Sequence, residues 1–211
     1  MKVLLVNGSP NEKGTTYTAL AEIAATLEKE GINSEIFWVG KDPVGGCMAC
    51  GGCRELKKCA IDDVVNKFLE KAADAQGFVF GTPVHFAAAS GNMTSFMDRV
   101  FYAEMYGSGR ASFRLKPAAV VVAARRAGTT AAFDQMIKYL AISEMTIVSS
   151  SYWNMVFGAR ATDVPQDAEG LFTMQVLGRN MAYTMKCIDA AAKQGIAPPE
   201  KQKKPFTNFI R

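Results

Sequence analysis

Apolar residues in this chain occur either in short unbroken runs or in longer stretches with helical spacing. The first run, KVLLVN at 2–7, shows no alternation of apolar and polar residues, which is typical of a parallel strand covered on both faces. Similar runs predict four more strands, in NSEIFWVG (33–40), GFVFGTP (77–83), KPAAVVVAARRAG (116–128, ending in a loop) and EMTIVSS (144–150). The pattern therefore predicts five strands.

Helical spacing follows most of these runs. In GTTYTALAEIAATLEKEG (14–31) the apolar residues share one face, and Gly31 ends the helix. Further helices are predicted near 63–73, at 90–104 with Ser90 or Asn92 near the N-cap, at 129–143, and at 168–195. One apolar face of the last helix is formed by Leu171, Met174, Leu177, Met181, Met185 and Ile188.

Strand and helix alternate along the chain, which predicts an α/β fold. We expect a doubly wound, five-stranded parallel sheet with helices on both faces. In such sheets ligands bind beyond the carboxyl ends of the strands, where the strand order reverses. The loops after strands one, three and four are therefore the places to search for chemistry.

The composition limits the classes of function. The 211 residues are 49% hydrophobic and 21% charged, and the formal net charge is only +4, so that nucleic-acid binding is not expected. We find neither a signal-peptide pattern nor an apolar run of membrane-spanning length, so no membrane association is expected. We therefore expect a cytoplasmic location, where thiols stay reduced.

The first loop, NGSPNEKGTT, leaves a strand and enters a helix. Gly8, Ser9 and Gly14 precede Thr15 and Thr16, and this combination of glycines, hydroxyls and a helix N-terminus suits a phosphate group. The loop matches neither the dinucleotide fingerprint nor the Walker pattern. An ordinary turn between strand and helix remains the alternative.

The second loop, GTPVHFAAASGNM, contains the single histidine of the chain, and the third, AARRAGTT, contains two arginines. A lone histidine is more often structural than catalytic, but His85 lies just past the end of a strand. Arg125 and Arg126 are either a solvated pair or a source of positive charge for a reduced ring. No Ser-His-Asp group or pair of carboxylates suggests hydrolysis.

Four of the five cysteines lie within thirteen residues, as Cys47, Cys50, Cys53 and Cys59. The spacing C-x2-C-x2-C-x5-C suits a cubane iron–sulfur cluster, with neighbouring glycines allowing a tight backbone. Structural zinc usually takes two separated C-x2-C pairs, which makes it a weaker alternative. Free thiols in a glycine-rich turn are the third possibility. Cys187, among apolar neighbours, is predicted to be buried.

The loops together resemble the flavodoxin-like NAD(P)H-dependent FMN reductase family, and most of all its iron–sulfur flavoprotein branch. The stretches that carry the resemblance are VNGSPNEKGTTYT, GTPVHFAAASGNMTSFMDR, AARRAG, SYWNMVFG and DAEGLFTMQVLGRNMA. Asn11, Thr15 and His85 depart from the residues that the family often has, which are arginine, asparagine and tyrosine. The resemblance implies a flavodoxin-like fold that binds FMN. Its implied contacts are Ser9, Asn11, Gly14, Thr15 and Thr16 at the phosphate, Pro83, Val84, His85 and Phe86 at the ring, and Arg125, Arg126 and Gly128 near its polar edge.

The same resemblance implies a 4Fe–4S cluster on the four cysteines, close to FMN, in a homo-dimer or homo-tetramer. We expect residues 1–195 to form the FMN-binding domain, with a cysteine-rich insertion at 45–60, and 196–211 to be a C-terminal extension. The expected function is electron transfer from NAD(P)H or a reduced carrier to a small molecule or redox protein. Two alternatives stay open, a cluster-free NAD(P)H:flavin or quinone reductase and a non-enzymatic redox carrier or sensor.

Overall fold

The computed structural model describes residues 1–202, 205 and 207. Within them, one sheet contains strands β1 (Lys2–Asn7), β2 (Asn33–Trp38), β3 (Gly77–His85), β4 (Ala88–Ala89), β5 (Pro117–Ala124), β6 (Thr146–Ile147) and β7 (Met155–Phe157). The helices are α1 (Thr15–Lys29), α2 (Cys53–Leu56), α3 (Val64–Ala73), α4 (Gly91–Ala103), α5 (Thr129–Ile142) and α6 (Ala168–Lys193). A π-helical turn, Glu104–Ser108, continues α4, and a 3-10 turn, Val164–Gln166, precedes α6.

The main sheet has the order β2-β1-β3-β5-β6, and its neighbouring strands are parallel. The predicted doubly wound five-stranded sheet is thus confirmed. The chain moves outward from β1 to β2 and then returns to the other side of β1 with β3. The strand order therefore reverses between β1 and β3, which is where this topology forms a ligand crevice at the carboxyl ends of the strands.

Helices cover both faces, as the unbroken apolar run in β1 predicts. Leu4 and Val6 point into a core formed with α3, α4 and α5. Val3 and Leu5 point into the opposite core, formed with α1 and α6. Because successive side chains of a strand point to opposite faces, a strand with helices on both sides needs apolar residues at every position.

The fifth strand differs from its prediction. Instead of one strand over 144–150, the short β6 pairs with the start of β5 and β7 pairs with its end. Asn154 bridges the gap, since its carbonyl accepts from Val122 N at 2.9 Å and its Nδ2 donates to Val120 O at 3.0 Å. The three serines at 149–151 can therefore leave the sheet while the edge of β5 stays hydrogen-bonded.

Two predictions for the last helix are wrong. Cys187 and Ile188 are both exposed, although the other members of the predicted apolar face lie in or against the core. The helix outruns the sheet: Met185 already packs against Gly77, the first residue of β3, with 3.2 Å from its Sδ to the point where a Cβ would stand. Residues beyond Met185 therefore pass the end of the core.

The described part of the expected C-terminal extension returns to the segment after α4. Pro199 O accepts a hydrogen bond from Arg114 Nη2 at 3.0 Å, and Lys201 Nζ donates to Gly109 O. Residues 203, 204, 206 and 208–211 of that extension lie outside the described residues. Among the helices that the structure describes, none has the length and apolarity needed to cross a membrane.

Candidate functional site

The first loop is held at the carboxyl end of β1 by hydrogen bonds with Asn7 and with Trp38 at the end of β2. Asn7 Oδ1 accepts from Ser9 N at 3.1 Å, and Asn7 Nδ2 donates to Glu12 O at 2.8 Å. Trp38 Nε1 donates to Ser9 O at 2.8 Å. The backbone of the loop is thus fixed before any ligand binds, and Ser9 is buried with its Oγ accepting from Asn11 N.

Helix α1 begins directly after this loop, with Gly14 as its N-cap residue and no side-chain cap. The N–H groups of a first helical turn have no partner within the helix, so this end offers donors to an anion. Thr15 is half-buried and Asn11 is exposed. Thr16 is fully buried, and its Oγ1 has no hydrogen-bond partner among the described residues.

An unpartnered buried hydroxyl costs about 1–3 kcal/mol, so Thr16 requires an explanation. Its methyl group packs where β3 carries Gly81, whose added Cβ would lie 2.9 Å from Thr16 Cγ2. The side chain is therefore fixed at the base of the loop. A phosphate oxygen at this helix end would supply the missing acceptor, so these residues fit a bound phosphate.

The second loop is a tight hairpin between β3 and β4. Phe86 and Ala87 form its turn with φ of 51° and 60°, the left-handed region that few non-glycine residues adopt. Pro83 and Val84 are half-buried, His85 is exposed, and the Phe86 side chain projects fully into solvent. The sequence pattern did not predict this hairpin. It presents the rings of His85 and Phe86 at the carboxyl end of β3.

The three loops meet. Ser90, at the end of the second loop, donates through Oγ to Gly8 O at 3.1 Å. Gly128 in the third loop has φ of 93°, and an added Cβ would lie 2.6 Å from Ala87 Cα, so only glycine fits there. Arg125 and Arg126 are exposed on this third loop. The structure thus brings the predicted loops to one edge of the sheet.

The four cysteines also come together. One cleft of about 360 Å³, its open mouth included, is lined by Cys47, Cys50, Cys53 and Cys59. Arg99 and Tyr102 of α4 complete its wall. Cys47 and Cys50 are exposed, Cys59 is half-buried and Cys53 is buried. Burial raises the pKa of the Cys53 thiol, and negative charge on the other three cysteines raises it further.

The backbone between the cysteines is strained. Ala49, Gly51 and Lys57 have φ of 52°, 74° and 59°, so that two non-glycine residues adopt the left-handed conformation within nine positions. Such conformations cost of order 1–3 kcal/mol each and cluster at functional sites. Of the glycines at 45, 46, 51 and 52, which could allow a tight backbone, only Gly51 has positive φ.

Within residues 1–202, 205 and 207, no group of three or more His, Cys, Asp or Glu residues is arranged to hold a metal ion. A zinc site draws its four ligands to a single point. In a cubane cluster each cysteine binds a different iron atom, so the sulfurs need only surround it. Four thiols around one cleft fit that donor set.

Two polar side chains that sequence reasoning missed hold the cysteine segment. Asn66 of α3 accepts from Cys59 N at 2.9 Å and donates to Cys59 O at 3.0 Å. Arg99 is only 2% exposed and contacts Cys59 and Asp63. The sequence contains one signal for a buried Arg99. Arg99 lies three positions after Phe96 and next to Val100, on the apolar face of a predicted helix.

The cysteine segment is joined to the other loops through the N-terminus of α4. Asn92 accepts from Val44 N at 3.2 Å and donates to Asp42 O at 2.9 Å. Asn92 lies two residues after Ser90, which contacts the first loop. The segments that follow β1, β2, β3 and β5 therefore lie at the same edge of the sheet.

The fold and the loops define a flavodoxin-like protein with its candidate site at the β1/β3 reversal. The chain belongs to the NADPH-dependent FMN reductase family, whose model matches residues 1–160, and within it to the iron–sulfur flavoproteins. Family membership makes an FMN-dependent oxidoreductase the class of this protein.

Two relatives illustrate the relationship. An iron–sulfur flavoprotein of Methanocaldococcus jannaschii is 29% identical over 197 residues, which cover 89% of this chain and 99% of the relative. One of Archaeoglobus fulgidus is 33% identical over 71% of this chain and 73% of the relative.

Solved structures agree on the fold. RosB was solved with bound 8-demethyl-8-formylriboflavin-5′-phosphate and superposes with a TM-score of 0.69 at 14% identity. The match covers 100% of this chain and 92% of the RosB chain. A flavodoxin from the domain Archaea gives 0.59 at 13% identity, over 88% of this chain and 99% of that one.

Proposed function

We propose that this protein is an FMN-dependent oxidoreductase that passes electrons through a 4Fe–4S cluster. The donor is NAD(P)H or a reduced carrier, and the acceptor is a small molecule or a redox protein. The observation that carries the proposal is a cleft lined by Cys47, Cys50, Cys53 and Cys59. This cleft lies at the same edge of the sheet as the first loop, which suits a phosphate group.

The phosphate of FMN is assigned to the first loop and the start of α1. Ser9, Asn11, Gly14 and Thr15 surround this helix end, and the unpartnered Thr16 hydroxyl supplies a donor. One helix N-terminus with one hydroxyl-bearing loop accommodates a single phosphate group. This favours FMN over FAD, whose second phosphate would need a further site.

The ring of FMN is assigned to the surface that the second and third loops form at this edge of the sheet. Pro83, Val84, His85 and Phe86 provide a largely apolar wall on one side. Arg125 and Arg126 are exposed on the third loop, which packs against this wall at Gly128, and their guanidinium groups can favour negative charge on a reduced ring. Gly128 permits this arrangement because the two loops meet at Ala87 with no room for a side chain.

When bound, FMN accepts two electrons from a hydride donor and releases them singly, whereas a cluster carries one at a time. Helix α4 links the two assigned sites, since Ser90 caps it beside the first loop and Arg99 contacts the cysteine segment. At 1.5 Å per residue these positions are about 14 Å apart along the axis. The rigid helix fixes the spacing between the sites.

The test compares two cysteine variants purified without oxygen. Cys50→Ser is expected to lose the broad cluster absorption and keep FMN, with the reduction of one-electron acceptors falling more than NAD(P)H oxidation. Cys187→Ser is the matched control, because Cys187 is exposed on α6 and does not line the cleft. Wild-type protein that shows the flavin bands alone would contradict the proposal and favour a cluster-free flavin or quinone reductase.

A further inference from the structure

Arg99 is a buried cation whose hydrogen bonds are directed at residues 45–63, which comprise the cysteine-rich insertion and the N-cap of α3. It lies in the middle of α4 and is 2% exposed. Its Nε and Nη2 both donate to Cys59 Sγ, each at 3.3 Å. Nη1 and Nη2 donate to the Asp63 carboxylate at 2.6 and 2.9 Å, and Nη2 also donates to Ile61 O at 2.9 Å.

The ion pair alone does not account for this arrangement. A buried arginine needs a counter-ion and partners for its five N–H donors, and Asp63 with two backbone carbonyls, Ile61 O and Gly45 O, could meet most of that need. In addition to these contacts, the guanidinium places two of its donor nitrogens against the Cys59 sulfur. Sulfur of a neutral thiol is a weak acceptor, so this contact gains most when the sulfur carries negative charge, as a cluster ligand does.

The position of Cys59 is fixed from two further directions. Asn66 holds its backbone N–H and carbonyl, and Asp63 caps α3 by accepting from Val65 N at 2.9 Å. Within the described part of the chain, Cys59 thus has both its backbone and its sulfur held by polar side chains of α3 and α4. Cys47 and Cys50 are exposed by comparison.

Resting on the proposed function, we propose that Arg99 is a positioning residue for the cluster. It holds the Cys59 sulfur toward the cleft and makes the cluster easier to reduce, and Asp63 sets how much of its positive charge acts on that sulfur.

The direction of the effect follows from charge. A reduced cluster carries one more negative charge than the oxidised form. Hydrogen bonds to cysteine sulfur and nearby positive charge are among the factors that set the cluster potential. A guanidinium 3.3 Å from Sγ stabilises the reduced form more and therefore raises the potential. The Asp63 carboxylate opposes this rise in potential, since its negative charge is paired with the same guanidinium.

The experiment measures the cluster midpoint potential and the iron content of three variants, Arg99→Gln, Arg99→Lys and Asp63→Asn, in anaerobic holoprotein. Arg99→Gln is expected to shift the potential to more negative values, and Arg99→Lys by less because it keeps the charge. Asp63→Asn is expected to shift it to more positive values. Asparagine remains a good N-cap residue, so α3 should keep its start.

Bound FMN and far-ultraviolet circular dichroism report whether each variant keeps its fold. Opposite shifts of the midpoint potential in Arg99→Gln and Asp63→Asn support the inference. If the ion pair were purely structural, losing it through either substitution would disturb the cysteine segment in the same way. Loss of iron from folded, FMN-bound Arg99→Gln also supports the inference. In that case Arg99→Lys and Asp63→Asn show the direction in which the midpoint potential shifts.

An unchanged or higher potential in iron-loaded Arg99→Gln overturns the inference, as do equal shifts in the same direction from both charge variants. Either result leaves the proposed function intact if the wild type contains iron. Iron-free wild type would overturn the proposed function and this inference together.

Discussion

The Thr16 hydroxyl gives the sharpest prediction about FMN, because replacing it should change the FMN-free and FMN-bound protein in opposite directions. Thr16→Val keeps the shape of the side chain and removes only the hydroxyl. In the structure that hydroxyl is buried and has no hydrogen-bond partner among the described residues. Since such a group costs about 1–3 kcal/mol, the variant should raise the free energy of unfolding by about 1–2 kcal/mol.

The effect on FMN is opposite. A hydrogen bond to a charged group contributes about 1.5–3 kcal/mol, so losing one to the phosphate should weaken FMN binding by about 10- to 150-fold. The assay has two parts, urea unfolding of FMN-free protein and titration of the same protein with FMN by fluorescence quenching.

Thr26→Val is the matched control. Thr26 is also buried on α1, but its hydroxyl donates to Glu22 O at 2.9 Å and lies away from the first loop. This variant should leave FMN affinity unchanged. Unaltered FMN affinity in Thr16→Val, or a loss of stability in its FMN-free form, would refute the assignment of the phosphate to this helix end.

Three further predictions concern the loops and the sheet edge. Gly128→Ala should weaken FMN binding and lower stability, because its Cβ would lie 2.6 Å from a backbone atom of the hairpin, whereas Gly91→Ala, with nothing within 4 Å, should be neutral in the same unfolding and binding assays. His85→Phe should change stability by less than about 0.5 kcal/mol, as usual for an exposed site, and should keep FMN while shifting its reduction potential in a redox titration. Hydrogen bonds from Lys2 and Lys71 lower the pKa of Glu35. The carboxylate therefore stabilises the fold above the ordinary carboxylate range, and this contribution is lost as the pH falls through the lowered pKa. Glu35→Gln should flatten the acid limb of a stability-against-pH curve.

The sheet was predictable because its signal is local. Each buried strand is an unbroken apolar run, and alternation with helices then leaves few topologies. The split between β6 and β7 was not predictable in this way. It depends on Asn154 reaching across to Val120 and Val122 of β5, and a polar residue in an irregular stretch gives no indication of that partner.

The candidate site was predictable only in part. Loops that follow parallel strands must meet at one edge, so their convergence follows from topology. The hairpin at Phe86 and Ala87 escaped prediction because neither residue is a usual choice for positive φ. Arg99 lies forty residues after Cys59 along the chain, and only the packing of α4 against the cysteine segment brings the two together. The exposure of Cys187 likewise depends on where the sheet ends beneath α6.

The central claim is that the cleft lined by the four cysteines holds a cluster beside an FMN site. The most direct measurement is the content of iron, acid-labile sulfide and FMN in protein purified without exposure to oxygen. The account predicts about four iron atoms and four sulfides for each FMN, the composition of a 4Fe–4S cluster held by four cysteines. Protein that contains a full complement of FMN but neither iron nor sulfide would contradict it.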